Sequence, residues 1–476
     1  MPYRAVPVDV VVIGSGPNGL AAAIELARAG LEVTVIEAAD TLGGGLRTAE
    51  LTLPGFLHDV CSACHPMGVL SPVFRSMPLG EHGLEWVRPE ASVAHPLDGE
   101  PAVLLRGSPA DTAAELGPDG DRYRRMVEPF LDDPEGLIAD LLAPLGVPRR
   151  PLRMARFGLY GAWPATWLGR WAFRGERARA LLAGCAAHSI QPLSSPLTAA
   201  LGLVFLLAGH LEPWPVARGG SAAIGKALVS YFESLGGRVV AGLAVTSLDQ
   251  LPPCRAVVFD TDPVQLADIA GDQLPPRYAR RLRRYRFGPG AFKLDWALSE
   301  PIPWADPRVG RAATVHLGGT MAEIAASERA MARGEHPERP YVLMVQQSAL
   351  DPSRAPPGRH TGYGYVHVPA GSTVDRTAVI EDQIERFAPG FRDVILARRV
   401  TTAVDFARYN RNYVGGAVTG GTADLTQLFT RPVARLDPYT TPNPKLFVCS
   451  ASTPPGGGVH GMGGYHAARS VLRRLG

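Results

Sequence analysis

The stretch Val8-Asp9-Val10-Val11-Val12-Ile13-Gly14-Ser15-Gly16-Pro17-Asn18-Gly19 decides the fold. Residues 8–13 are dominated by β-branched side chains, as a parallel strand buried on both faces requires. The glycines then stand at Gly14-x-Gly16-x-x-Gly19. The first permits a tight turn, the second lets the backbone approach a pyrophosphate, and the third lets a helix pack against the strand. Residues 20–29 place apolar side chains at helical spacing and end at Gly30, a helix-stop signal. Residues 31–37 read as a second strand that ends on Glu37, eighteen residues beyond Gly19. A carboxylate there can accept hydrogen bonds from ribose hydroxyls. The helix start offers free N–H groups and a positive dipole end to phosphates, worth about 0.3–1 kcal/mol per exposed contact. Strand, glycine turn, helix, strand and acid together predict a bound dinucleotide.

Composition narrows the class. A chain of 476 residues is more than one core usually organises, so two or three domains are expected. Hydrophobic residues make up 46% and charged residues 20%, which excludes a disordered chain. A net charge of +3 gives no basic footprint for a nucleic acid. Five widely spaced cysteines suit a reducing cytoplasm. No apolar run reaches the length of a membrane span; the longest, residues 197–208, fits a buried or pocket-lining helix. The first residues, MPYRAV, lack the pattern of a secretory leader, so a cytoplasmic protein is expected, with peripheral membrane contact left open.

Farther along, residues 75–215 are rich in Arg, Pro and Trp, with helical stretches at 177–187 and 197–210 and no alternating strand pattern. The α/β character returns with a helix at 221–235 and strands at 238–245 and 256–259. Strands mixed with loops follow over 285–370, then a helix at 378–387. The last unit is a strand at 445–449, a glycine-rich loop and a helix at 465–475.

Around the next glycines the chain resembles a known family. Gly43-Gly44-Gly45-Leu46-Arg47-Thr48, shortly after Glu37, is similar to the signature of the FAD-dependent amine oxidase and phytoene (carotenoid) desaturase superfamily. The run from Leu446 to Gly464, Pro215 to Gly220 and Gly288 to Leu298 resemble other motifs of its phytoene desaturase-like members. The best match is the branch of pyridine nucleotide-disulphide oxidoreductase domain-containing proteins, and it covers essentially the whole chain. The resemblance implies an α/β protein: a discontinuous, glutathione reductase-like FAD-binding Rossmann domain (1–74, 215–275 and 415–476) under an α+β substrate domain (75–214 and 276–414).

The FAD contacts so implied are Gly14, Ser15, Gly16, Pro17, Asn18, Gly19, Glu37, Ala38, Gly43, Gly44, Gly45, Arg47, Thr48, Asp59, Val245, Ser450, Gly457, Gly458, Val459 and His460. The expected activity is dehydrogenation or oxidation of a mostly apolar small molecule, giving a C=C or C=N bond by hydride transfer to flavin. Oxygen, a quinone or an electron carrier would take the electrons. An NAD(P)H-fed reductase or monooxygenase would need a second glycine fingerprint, and a non-catalytic FAD-stabilised interaction protein would need a closed pocket. The family usually carries a basic residue where Gly45 stands, glycine for Ser450 and proline for His460, which argues against a long polyene substrate.

Candidate chemical groups are His460 within the closing glycine loop, His58 and His65 as bases, His210 with Trp214 at the end of the apolar helix, and Tyr409 with Asn410 and Tyr413. Trp163, Trp167 and Trp171 are further aromatics of the substrate segments. Cys61-x-x-Cys64 reads as a packed segment, because no second pair of ligands accompanies it for a metal.

Overall fold

The computed structural model describes residues 7–476, so the reading of the first six residues lies outside it. A parallel five-stranded sheet has the spatial order Leu446–Val448, Cys254–Phe259, Val8–Ile13, Val33–Ile36, Arg238–Val240. Ile13 pairs with Ile36 on one side and with Phe259 on the other. Strand order therefore reverses at Val8–Ile13, and a crevice opens at the carboxyl ends of the strands at such a switch point. The glycine turn, Glu37 and Asp260 all lie at those ends.

The helix Pro17–Arg28 begins with Pro at its first position, three residues earlier than apolar spacing alone indicated. It packs against the terminal helix Met462–Leu475, which likewise begins earlier than expected, inside the glycine-rich segment. A Cβ on Gly464 would lie 1.9 Å from the Asn18 carbonyl oxygen, so only glycine permits this approach. Gly14, at φ +103°, makes the turn that the fingerprint requires.

The second sheet has seven strands in the order Ile395–Thr401, Gly290–Leu298, His360–Val368, Val342–Val345, Ala312–Leu317, Ala91–Leu97, Glu100–Arg106. The last two correct the reading of 75–215 as free of strands. Ala91–Leu97 is buried at every position and so shows no alternation, and Asp98-Gly99 is a two-residue hairpin turn with Gly99 at φ +68°. The helices Pro151–Gly161, Ala165–Ala172, Glu176–Ala187 and Thr198–Leu211 join this sheet in the second large core. Of the pattern at 238–245 only Arg238–Val240 is strand. Among the described residues no helix is long and apolar enough to cross a membrane.

Candidate functional site

A cavity of about 1170 Å³ begins at the glycine turn and reaches the helices Pro151–Gly161 and Thr198–Leu211. Gly14, Gly16, Pro17, Asn18, Glu37, Ala38, Gly44, Gly45, Arg47, Val245, Ser450, Gly457, Gly458 and Val459 line it. Ser15 lies just behind: its N–H and Oγ donate to Glu37 Oε2 at 2.9 and 2.7 Å, and its Oγ accepts from the Gly43 N–H at 3.0 Å. The Ala39 N–H donates to Glu37 Oε1 at 3.0 Å. The carboxylate is thus aimed by two backbone amides and a hydroxyl at the end of its strand. Arg47 reaches 3.7 Å from Glu37 and lies 5.4 Å from the Tyr409 ring centroid, a cation–π contact at the cavity wall.

Asp260, which sequence reasoning missed, sits under the glycine turn and accepts the Gly19 N–H at 3.0 Å. Burial pushes its carboxyl well above the usual range, with Glu37 adding to the effect. Its position after the strand next to Val8–Ile13 was the available signal, since parallel strands end together at the switch point.

Several expected contacts do not reach the cavity. Asp59 is buried in a structural knot: it accepts from Thr48 Oγ1 (2.9 Å), the Ser221 N–H (2.7 Å) and Arg354 (2.6 Å). Thr48, Gly19 and Gly43 also lie outside the lining. The expected bases fare similarly. His58 shares a hydrogen bond with Thr52 at 2.8 Å, and burial next to the charges of Lys293 and Arg354 pushes its pKa down to about 3. His65 Nε2 donates to Ser221 Oγ at 2.9 Å, because that hydroxyl's own proton goes to the Ser62 carbonyl. His210 Nδ1 donates to the Arg106 carbonyl at 3.0 Å, and its Nε2 accepts from the Tyr123 hydroxyl at 2.6 Å. His460 Nδ1 accepts the Met462 N–H at 3.1 Å and serves the terminal helix rather than the cavity. None of these four rings lines the cavity, and the Nδ1 atoms of His58 and His65 are buried without a hydrogen-bond partner.

Tyr409, Asn410 and Tyr413 do line the cavity, together with Cys61 and Tyr365. Cys61 and Cys64 are free thiols, both pushed up by burial. Trp214 is buried behind the wall, whereas Trp163, Trp167 and Trp171 point outward to solvent.

Among the described residues the one histidine lining the cavity is His188, which no sequence pattern marked. Its Nε2 lies 3.1 Å from His316 Nε2, and burial pushes its pKa down to about 3. Behind it the Nδ1 atoms of His316 and His95 and the Nε1 of Trp214 have no hydrogen-bond partner. A second buried cluster pairs His367 with Glu328 at 2.9 Å, and another pairs Lys293 with Asp295. Among the described residues no group of His, Cys, Asp and Glu is arranged to hold a metal ion.

Residues 12–77 match the NAD(P)-binding Rossmann-like domain family. The chain is 27% identical to pyridine nucleotide-disulfide oxidoreductase domain-containing protein 2 of Rattus norvegicus, over 98% of this chain and 94% of that one. It is 27% identical to the phytoene dehydrogenase of Streptomyces griseus, over 82% and 78% of the two chains. The solved structure of putrescine oxidase bound to putrescine shares the fold, with a TM-score of 0.62, 17% identity and 99% of both chains covered. Crevice, glycine turn and relatives agree: the chain is an oxidoreductase with a Rossmann-type dinucleotide-binding domain, whose homologues and structural neighbours include pyridine nucleotide-disulfide oxidoreductase domain-containing protein 2, phytoene dehydrogenase and the amine oxidases.

Proposed function

We propose that this chain is an FAD-dependent dehydrogenase that removes two hydrogens from a mostly apolar small molecule and leaves a C=C or C=N bond. One observation carries the reading. The cavity that starts at the dinucleotide turn continues past Cys61, Tyr365 and Tyr413 to a wall of Met154, Phe157, Ala200, Leu201, Val204 and Phe205. Its volume of about 1170 Å³ exceeds the roughly 300–1,000 Å³ of ordinary small-molecule sites, which leaves room for a dinucleotide and a second molecule. The names of two similar proteins, phytoene dehydrogenase and putrescine oxidase, support the two bond types.

The residues present fit FAD. Asn18 Oδ1 and Arg47 Nε are buried polar atoms without partners, on residues that line the cavity. Glu37 stands ready for ribose hydroxyls, and Gly457, Gly458 and Val459 line the same space. A bound flavin supplies the hydride acceptor. The chain supplies the rest. The helix Thr198–Leu211 gives an apolar wall that positions the substrate and excludes water. His188 lines the same space with Nε2 engaged by His316, and burial, which pushes its pKa down to about 3, keeps the ring neutral. It serves as a polar wall group rather than a base, and the proton that leaves the substrate passes to water at the cavity mouth. We further propose 75–214 and 276–414 as the substrate domain, a division supported by their shared seven-stranded sheet.

The visible spectrum of the purified protein under anaerobic conditions tests the reading. The expected result is a bound FAD that NADH and NADPH leave oxidised and that an apolar amine or hydrocarbon bleaches. Rapid bleaching by NADPH would replace the dehydrogenase with a reductase, and absence of flavin would remove the cofactor assignment.

A further inference from the structure

Residues 141–175 carry six arginines (Arg149, Arg150, Arg153, Arg156, Arg170 and Arg174) and no Asp or Glu. The same segment exposes large apolar side chains: Val147 is 92% exposed, Leu152 89% and Trp171 75%, with Leu145, Leu159, Trp163 and Trp167 also exposed. They form one face. Leu152 and Leu159 stand two turns apart on Pro151–Gly161, and Trp167 and Trp171 one turn apart on Ala165–Ala172. The corner between these helices is fixed by the Trp163 Nε1–H donating to the Leu159 carbonyl at 2.8 Å, and Trp163 stacks on Trp167 with ring centroids 6.1 Å apart.

The face is continuous with the cavity. Leu145 and Val147 are exposed and also line it, as are Phe429 and Leu436, so these four form an apolar rim at its mouth. The opposite face of Pro151–Gly161 contributes Met154 and Phe157 to the interior. Arg150 and Arg153 turn to Asp133, whereas Arg149, Arg170 and Arg174 are exposed in the same segment. Tryptophan, with an apolar body and one N–H, and arginine around exposed leucine are what an interfacial helix presents to anionic lipid.

We propose that this face docks on an anionic lipid bilayer, with Trp163, Trp167 and Trp171 at headgroup depth and the cavity mouth against the acyl region. An apolar molecule then enters from the lipid without crossing water. The docking does not depend on which cofactor the cavity holds.

Co-sedimentation of the purified protein with vesicles of phosphatidylcholine containing 30% phosphatidylglycerol tests it. The protein is expected to pellet with these vesicles and to be released by high salt. The Trp167→Ser/Trp171→Ser variant is expected to lose at least tenfold in partition coefficient at unchanged melting temperature. Arg149→Glu/Arg170→Glu is expected to lose the preference for anionic over pure phosphatidylcholine vesicles. Wild-type protein left in the supernatant, or variants that bind as the wild type does, would overturn the proposal. So would a dimer that the tryptophan variant dissociates, because a second copy would then cover the face.

Discussion

His188 and His316 meet edge to edge, Nε2 to Nε2 at 3.1 Å, so one ring donates the single proton that the other accepts. The contact joins the cavity wall to the core, where the other His316 nitrogen has no partner. Replacing one ring leaves the other with a buried unpaired nitrogen. His316→Leu is therefore expected to cost about 1–3 kcal/mol, and His188→Leu a similar amount. The double variant should lose less than the sum of the two, as chemical denaturation of all three proteins would show.

Acid should destabilise the fold well before its carboxylates titrate. Burial pushes His65, His95 and His460 down to about 4 and His58 to about 3, and holds His316 well below its ordinary value. Between those values and 6.5 the unfolded chain binds protons that the folded chain does not, so stability rises with pH there and falls as pH drops. Each such ring contributes about 1.4 kcal/mol per pH unit once the unfolded state is protonated. Asp260, Asp262 and Asp295, whose carboxyls burial pushes up, oppose this, but His188, His210 and His466, also pushed down by burial, add to it. The melting temperature is expected to fall steadily from pH 6.5 to 5.

Gly464→Ala tests the helix contact. The added methyl meets the Asn18 carbonyl and the Ala22 amide nitrogen, both backbone atoms that cannot turn away. Overpacking of this kind costs about 1–3 kcal/mol or more. Because Asn18 lies in the first turn after the glycine fingerprint, the variant should also retain less cofactor through gel filtration.

Glu37→Leu removes the acceptor of the Ser15 N–H, the Ser15 hydroxyl and the Ala39 N–H. Dinucleotide affinity is expected to fall at least tenfold, about 1.4 kcal/mol. Titration of the cofactor-stripped protein with FAD measures it.

Arg354→Met leaves Asp59 charged and buried, with only Thr48 and Ser221 as partners. Breaking a buried pair in this way costs about 3–5 kcal/mol. The loss should appear in denaturation midpoint, and the Asp59→Leu/Arg354→Met variant should recover part of it.

The dinucleotide half of the site was legible because its chemistry is local. Gly14 to Gly19 and Glu37 fall within one strand, turn, helix, strand unit, and its spacing alone predicts the crevice. Asp260 arrives at the same point from a strand that begins at Cys254, and no spacing announces it. The placement of the histidines was hidden for a related reason. His58, His65, His210 and His460 stand in or near conspicuous motifs, but the hydrogen bonds they make go to backbone or hydroxyls away from the cavity. His188 has no motif, and it reaches the cavity because Glu176–Ala187 ends one residue before it. The hairpin at Asp98-Gly99 was hidden by burial on both faces, which erases the alternation by which strands are recognised.

The central strand Val8–Ile13 leans on Cys254–Phe259, and that strand in turn on Leu446–Val448, while the first helix is closed by Met462–Leu475. During synthesis the glycine fingerprint leaves the ribosome before these partners, which lie more than two hundred residues farther along. Its apolar strand is a nascent-chain liability until the sheet closes around it. Production of this oxidoreductase should therefore respond to chaperone supply and slower translation, and a truncation before residue 446 should yield aggregate rather than a smaller enzyme.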